Sequence, residues 1–267
     1  MRFWFIWALL LLTATFMYLR FPYERLAERI ETELQATSGW EVSIANLAAR
    51  PTLLGPGLSA GPVRAQRRGR TLSAQEAVVR PAWSLAWLKF APAFHLDIRA
   101  AGARVEGVLT LSDPPQFAGE IVEADLGALV SGEQPQAVRL TGRADAEIDL
   151  VLTSEGPQGA VSLTALEGSF SHPIVPLPIP FDRVDAELAF GGDAWLTISS
   201  SDIQSPLLSG QALGTLGTPP GGPIQLSLDL LPNPAAAAVL AQQGIRPGRD
   251  GRISLQVRGT AANPRLR

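Results

Sequence analysis

Residues 138–152, VRLTGRADAEIDLVL, decide the fold of this chain, because apolar and polar side chains alternate along them. Aliphatic residues occupy the even positions, with Gly142 as the exception, and charged or hydroxyl residues occupy nearly all the odd ones. Successive side chains of a β-strand point to opposite faces of a sheet. The stretch therefore predicts a strand with one apolar and one polar face.

The same alternation recurs along most of the chain, with Gly- and Pro-rich turns between the repeats. It is visible at residues 40–44, 161–163, 184–190, 196–198, 224–230 and 253–257. One-faced strands joined by short turns are typical of antiparallel sheets. We predict a mainly β protein with a curled antiparallel sheet, either groove-like or a closed sandwich, together with an N-terminal transmembrane helix and two or three short helices.

The N-terminus has the composition of a membrane anchor. Residues 3–19 carry no charge, and as a helix they would extend about 25 Å towards the roughly 30 Å of a hydrocarbon core. A cleaved signal peptide is the alternative, but the bulky residues 16–19 stand where a peptidase needs small ones. We therefore predict an anchor over residues 1–20. Its expected contact residues are Phe3, Trp4, Trp7, Leu10, Phe16, Tyr18 and Arg20.

Three further helices and one proline-rich segment are predicted outside the strands. Residues 21–38 form an amphipathic helix, which leaves residues 39–267 as a β-rich domain. Short helices are expected at 81–89, with Trp83 and Trp87 on one face, and at 233–243, with an asparagine N-cap. The proline-rich segment 172–180 should be extended and outside any central strand. It is either a linker or a ligand for a partner groove.

Composition excludes several kinds of chemistry. The chain has no cysteine, two histidines and a net charge of −3, which exclude disulfides, thiol catalysis and thiolate zinc sites and argue against nucleic-acid binding. His95 lies in an alternating strand, and His172 lies beside the proline run without a nucleophile motif. Asp145, Glu147 and Asp149 share a face with two arginines, which favours a solvated surface over a cation site. We predict no enzyme activity, catalytic residue, cofactor or metal.

The apolar positions carry the main functional question. They either close as a core or line a groove for an apolar ligand, and the alternation alone fits both. The candidate groove lining is Leu140, Ile148, Leu150, Leu152, Leu188, Phe190, Leu226 and Leu228.

Three stretches resemble a known family. They are residues 1–45, with an anchor followed by FPYERLAERIETEL, residues 72–111, with LSAQEAVVRPAWSL and HLDIRAAGARVEGVLTL, and the closing ISLQVRGTAANPRLR. The second stretch includes the spaced glycines Gly102 and Gly107. Together they resemble the N protein family of bacterial type II secretion systems and the wider AsmA-like group of envelope proteins.

The resemblance implies a single-pass protein of the bacterial inner membrane with its body in the periplasm. It predicts a non-enzymatic component of a type II secretion system that contacts other secretion proteins. The alternative is an AsmA-like protein that binds or transfers phospholipid in an apolar β-groove, and an envelope hydrolase is a third, less favoured hypothesis. A dozen strands stack to about 60 Å, so we expect a carrier or assembly component and not a bridge between membranes.

Overall fold

The computed structural model describes residues 2–38, 40–52, 55–67, 70–83, 87, 90–100, 102–130, 139–171, 178–218, 221–242, 247–260 and 263–266. Four helices occur in this part of the chain: α1 (Arg2–Leu19), α2 (Tyr23–Ser38), α3 (Leu126–Val130) and α4 (Pro234–Gln242). The first two lie where the anchor and the amphipathic helix are predicted. α3 is not predictable from the sequence, because its five residues, LGALV, are too few to show a helical period.

The same described residues contain 16 strands that form one antiparallel sheet. The strands are β1 (Glu41–Ile44), β2 (Leu47–Ala49), β3 (Leu58–Ala60), β4 (Val63–Arg67), β5 (Arg70–Pro81), β6 (Ala93–Ala100), β7 (Ala103–Thr110), β8 (Gln116–Asp125), β9 (Arg139–Thr153), β10 (Gly156–Ser171), β11 (Ile179–Phe190), β12 (Leu196–Gln204), β13 (Leu208–Leu216), β14 (Pro223–Pro232), β15 (Ile253–Thr260) and β16 (Asn263–Leu266). The predicted mainly β, antiparallel class is confirmed.

The sheet is a long meander. From β4 to β16 each strand pairs with the next one along the chain, β1 pairs with β4 at one edge, and β3 pairs with β2 and β5 beside the main path. Hairpin connections of this kind follow from the short turns that separate the alternating segments. With neighbouring strands about 4.8 Å apart, the path from β1 to β16 measures about 62 Å.

The register places most of the large apolar side chains of the main path on one side, which we call the apolar face. Ile148 on β9 lies between Gly119 on β8 and Val161 on β10. The same row continues through Leu188, Ile198, Gly214, Leu226 and Val257. A slip of one residue in any strand would turn its apolar side chains to the other side.

One end of the apolar face is closed into a small core, which we call the covered end. Leu126 of α3, Ala144 of β9 and Phe181 of β11 pack there with Ala124 and Ala165, and all five are buried. The Phe181 ring lies over Gly168, where a Cβ atom would come within 2.3 Å of its Cζ. Phe181 therefore fills space that only glycine leaves open.

Beyond the covered end, α2 contacts β1 and β2 and α4 contacts β14, but the central part of the apolar face has no second layer within the described part of the chain. No large side chain there is fully buried, and alanines make up more than half of the buried apolar residues. The chain exposes 18022 Å², whereas a folded monomer of 28.4 kDa exposes about 11,000 Å². The sheet is open, so the groove-like form of the prediction applies and the closed sandwich does not.

The short predicted elements have mixed outcomes. The Asn233 side-chain oxygen accepts a hydrogen bond from the Ala236 amide at 2.8 Å, so this N-cap is confirmed. The helix predicted from residue 81 is wrong at its start, because Pro81 ends β5 and hydrogen bonding with β6 continues up to it. Trp87 lies in a 3-10 turn. The ring centroids of Trp83 and Trp87 are 5.1 Å apart. Residues 84–86 and 88–89 lie outside the described residues.

The proline-rich segment is described only at its end. Residues 172–177, including His172, lie outside the described residues. Pro180 is part of β11, which has a neighbour on each side, so the prediction that this segment avoids a central strand is wrong there. Pairing with β12 begins only at Arg183, so the missing proline N–H falls before that ladder starts.

Candidate functional site

The N-terminal helix presents apolar side chains on every side. Trp4, Trp7, Leu10 and Phe16 are each more than half exposed, and the Arg20 guanidinium lies 5.3 Å from the centre of the Phe16 ring. The side chain of Phe3 lies outside the described residues. Among the described helices none is by itself long and apolar enough for a membrane span. Trp4–Leu19 and Tyr23–Ala36 together have that length and composition as a pair bent by 61°.

Tyr18, one of the predicted anchor residues, joins α1 to the sheet. Its hydroxyl accepts a hydrogen bond from the Gly57 amide at 3.0 Å and donates one to the Gly57 carbonyl. The Tyr23 hydroxyl donates to the carbonyl of Tyr18 and so bridges the corner between α1 and α2. The end of α1 is therefore held against the residue that precedes β3.

A cavity of about 380 Å³, the corner cavity, lies between this helical corner and the sheet. Met17, Phe21 and Leu26 line it from the helices, and Leu58, Val79 and Phe94 line it from the strands. Leu58 pairs with Val79, and Val79 pairs with Leu96 in the row that leads to Ile148. The corner cavity thus opens from the same apolar face that runs across the sheet.

The uncovered part of the apolar face forms a trough. Seven of the eight candidate residues lie in it: Ile148, Leu150, Leu152, Leu188, Phe190, Leu226 and Leu228. Leu152 is 41% exposed, and the other six are half-buried. Aliphatic side chains of this size in a closed core would be almost fully buried. The geometry is that of a shallow apolar surface open to a ligand.

Leu140 is the exception among the candidate residues. It packs against the cluster of Ala144, Ala165 and Phe181 at the covered end. The sequence places it on the same face as the other candidates, and α3 lies over that end of β9. Leu140 is half-buried at the border between the covered end and the trough.

Several trough residues were missed by the sequence analysis. Val161 and Ile198 lie in the row of Ile148 and Leu188, and Phe117 pairs directly with Leu150. The Phe117 ring lies across Gly107 and Gly119, where added Cβ atoms would come within 2.7 Å and 3.0 Å of its Cζ. Alternation marks these residues as apolar, but only the register shows that they adjoin the named ones.

The opposite face of the sheet is a mixed-charge surface, as predicted for Asp145, Glu147 and Asp149. Asp145 accepts the amide of Glu123 at 2.8 Å and so supports a bulge in β8. A hydrogen bond from Arg104 holds the pKa of Asp97 below its ordinary value, and one from Arg183 does the same for the pKa of Asp185. These carboxylates have structural partners.

A second hollow lies on this polar face. It has a volume of about 470 Å³, and its walls include His95 with Glu106, Glu120 and Glu147. The three glutamates occupy neighbouring positions on β7, β8 and β9. Within the described ranges no three His, Asp or Glu side chains are placed to hold a metal ion. The hollow therefore offers no ligand set for a cation.

The two edges of the sheet differ. Among the described residues β1 pairs with β4 alone and β16 with β15 alone. α2 contacts β1, and its Glu31 accepts a hydrogen bond from the Ile44 amide at 2.5 Å. β16 leaves backbone N–H and C=O groups that another strand can pair with.

Comparison with known proteins adds no relative: no family model matches the chain, and neither a curated protein nor a solved structure is significantly similar to it.

Proposed function

We propose that this chain is a non-enzymatic protein of the bacterial envelope that shelters phospholipid acyl chains in its trough. In this proposal α1 anchors it in the inner membrane and the β-rich body lies in the periplasm. One observation carries the proposal, namely the half-exposed aliphatic and aromatic side chains of the trough. Contiguous apolar surfaces beyond a few hundred Å² mark binding sites on proteins.

The charge distribution supports an apolar ligand. The ion pairs and the carboxylates of β9 lie on the polar face, away from Leu150 and Leu188. Alternation requires this separation, because polar and apolar residues of one strand point to opposite faces. A ligand in the trough would therefore contact hydrocarbon side chains along each row of paired strand residues, and an alkyl chain suits such contacts.

The membrane anchor supports a lipid over other apolar ligands. A helix that is apolar on every side is found in a protein core or in a membrane, and α1 is exposed along its length. Tyr18 fixes the end of that helix beside the sheet through Gly57. The trough would then lie close to a source of acyl chains.

The test is to measure lipid on the body of the protein without α1. Residues 21–267 keep α2, whose Ala27 is buried against the sheet. This chain would be exported to the periplasm, purified without detergent and weighed by native mass spectrometry, with extraction of bound lipid. We expect at least one phospholipid per chain, and a ligand-free mass would contradict the proposal.

A matched pair of variants makes the result specific. Leu150→Asp places a carboxylate in the trough, whereas Val151→Asp places it on the polar face of the same strand. We expect the first to lose the lipid and the second to retain it, with both chains folded by circular dichroism. Equal lipid in both variants would contradict a site in the trough.

A second candidate function is the type II secretion component that acts through protein contacts. The open edge of β16 favours it, because a partner can add a strand there. A photocrosslinking residue at Arg265 on β16 should capture a secretion protein in cells, whereas one at Ser162 on the central strand β10 should not. Capture from both positions or from neither would count against strand addition.

A further inference from the structure

The corner cavity differs from the rest of the trough in being walled on two sides. The sheet supplies one wall through Leu58, Val79 and Phe94, and the α1–α2 corner supplies the other through Met17, Phe21 and Leu26. Its volume of about 380 Å³ falls in the range of about 300–1,000 Å³ typical of small-ligand sites. It is therefore a two-sided pocket at one end of an open surface.

The two tyrosine hydroxyls at the cavity are already paired with backbone groups. The Tyr18 hydroxyl is bonded to both backbone groups of Gly57, and the Tyr23 hydroxyl is bonded to the carbonyl of Tyr18. Arg80 lies between Val79 and Pro81 on β5, so strand alternation directs its side chain to the opposite face. Apart from Arg80 and the two tyrosines, the lining residues carry no polar side chain, which selects against a polar ligand.

The cavity also joins two apolar surfaces of different kinds. Met17 at the end of α1 is 66% exposed and continues the apolar side chains of that helix. Phe94 pairs with Leu109 and Val79 pairs with Leu96, and these rows lead on to Leu150 and Ile148. An elongated apolar molecule can therefore contact the anchor helix and the trough at the same time.

We propose that the corner cavity binds a single acyl chain of a membrane lipid, held between the α1–α2 corner and the end of the apolar face. This inference rests on the proposed function, since it assigns one acyl-chain subsite within the same lipid-binding surface. Tyr18 is a positioning residue in it, because its hydrogen bonds with Gly57 hold the helical wall against β3.

The absence of cysteine in the sequence allows a clean test on the full chain. Val79→Cys places one thiol in the cavity, and Val78→Cys places one on the opposite face of the same strand. Each is labelled with a bimane fluorophore and inserted into vesicles of phosphatidylglycerol with brominated or unbrominated acyl chains. Bromine on an acyl chain quenches the label only at close contact.

We expect the brominated lipid to quench the label at Val79 several times more strongly than the label at Val78. Equal quenching at both positions would overturn the proposal, because it would reflect proximity to the membrane and not the cavity. Leu58→Cys with Ser59→Cys as its control gives the same comparison on β3. This second pair decides the result if the Val79 label disturbs folding.

A label at Leu150→Cys separates this inference from the proposed function. Quenching at Leu150 without quenching at Val79 would overturn the corner site and leave lipid binding in the trough. Quenching at neither position would overturn both. Quenching at both, with the Val78 label unaffected, is the expected result.

Discussion

The two halves of β9 share one alternating pattern but lie in different environments. Ala144 and Ala146 near its start are 3% and 7% exposed, whereas Leu152 near its end is 41% exposed. α3 and Phe181 close the first half, and no described element covers the second. The alternation assigns a side chain to a face, but a covering element decides whether that face is a core or a binding surface.

A buried charge gives the largest expected difference between the two halves. Ala144→Asp should lower the free energy of unfolding by about 3–5 kcal/mol, because the carboxylate has no compensating partner in the core. Leu150→Asp, on the same strand and face, should lower it by about 1 kcal/mol or less, as for a surface change. Urea unfolding of residues 21–267 measures both, and equal losses would mean that Leu150 is a core residue.

Truncating an aromatic ring at each end of the apolar face sharpens the same comparison. Phe181→Ala should cost about 3–5 kcal/mol of unfolding free energy, as large core truncations do. Phe190→Ala should lower the free energy of unfolding by about 1 kcal/mol. Its ring is half-buried, so its removal loses only part of the transfer free energy of a phenyl group. The comparison fails if the Phe190 variant is the less stable of the two in urea.

The cap of α4 should have an intermediate effect. Asn233→Ala removes the acceptor for the Ala236 amide and should lower the free energy of unfolding by about 1 kcal/mol. Asn233→Asp keeps an acceptor oxygen and is the matched control. A loss of the same size in both variants would show that the cap bond is not the cause.

The ion pair of Asp97 and Arg104 on the polar face should give the smallest effect, and one that depends on pH. Because the pKa of Asp97 is lowered in the folded protein, its contribution is present above the ordinary aspartate pKa of about 3.9. It is lost as the pH falls through the lower folded value. Asp97→Asn should therefore destabilise the chain at pH 7, and the difference from the unaltered chain should shrink as the pH falls below about 3.9. A difference that grows on acidification would contradict this assignment.

The sequence predicts structure well where that structure depends on residues close together in the chain. β9 spans Arg139–Thr153, close to the predicted 138–152, and Asn233 caps α4 as expected. Alternation and capping depend on neighbours in the chain, so both can be recognised from the sequence before the fold is known. The same holds for the apolar character of α1.

The parts that the sequence does not predict depend on contacts between distant residues. Tyr18 bonds to Gly57 across 39 positions, and nothing local distinguishes it from an interfacial tyrosine. Leu140 and Leu150 have the same pattern, yet only Leu140 packs against the buried cluster beside α3. The sequence therefore assigns the candidate site to one face of the sheet, but it does not show where on that face the site begins and ends.

Thiol reactivity along β9 tests most directly whether the trough is an open lipid-binding surface. Single cysteines at Ala144, Ile148, Leu150 and Leu152 in residues 21–267 would be reacted with a maleimide, before and after addition of phosphatidylglycerol. We predict slow reaction at Ala144 in both cases, and faster reaction at the other three positions that the lipid suppresses. Uniformly slow reaction without lipid, or no change on its addition, would contradict the account.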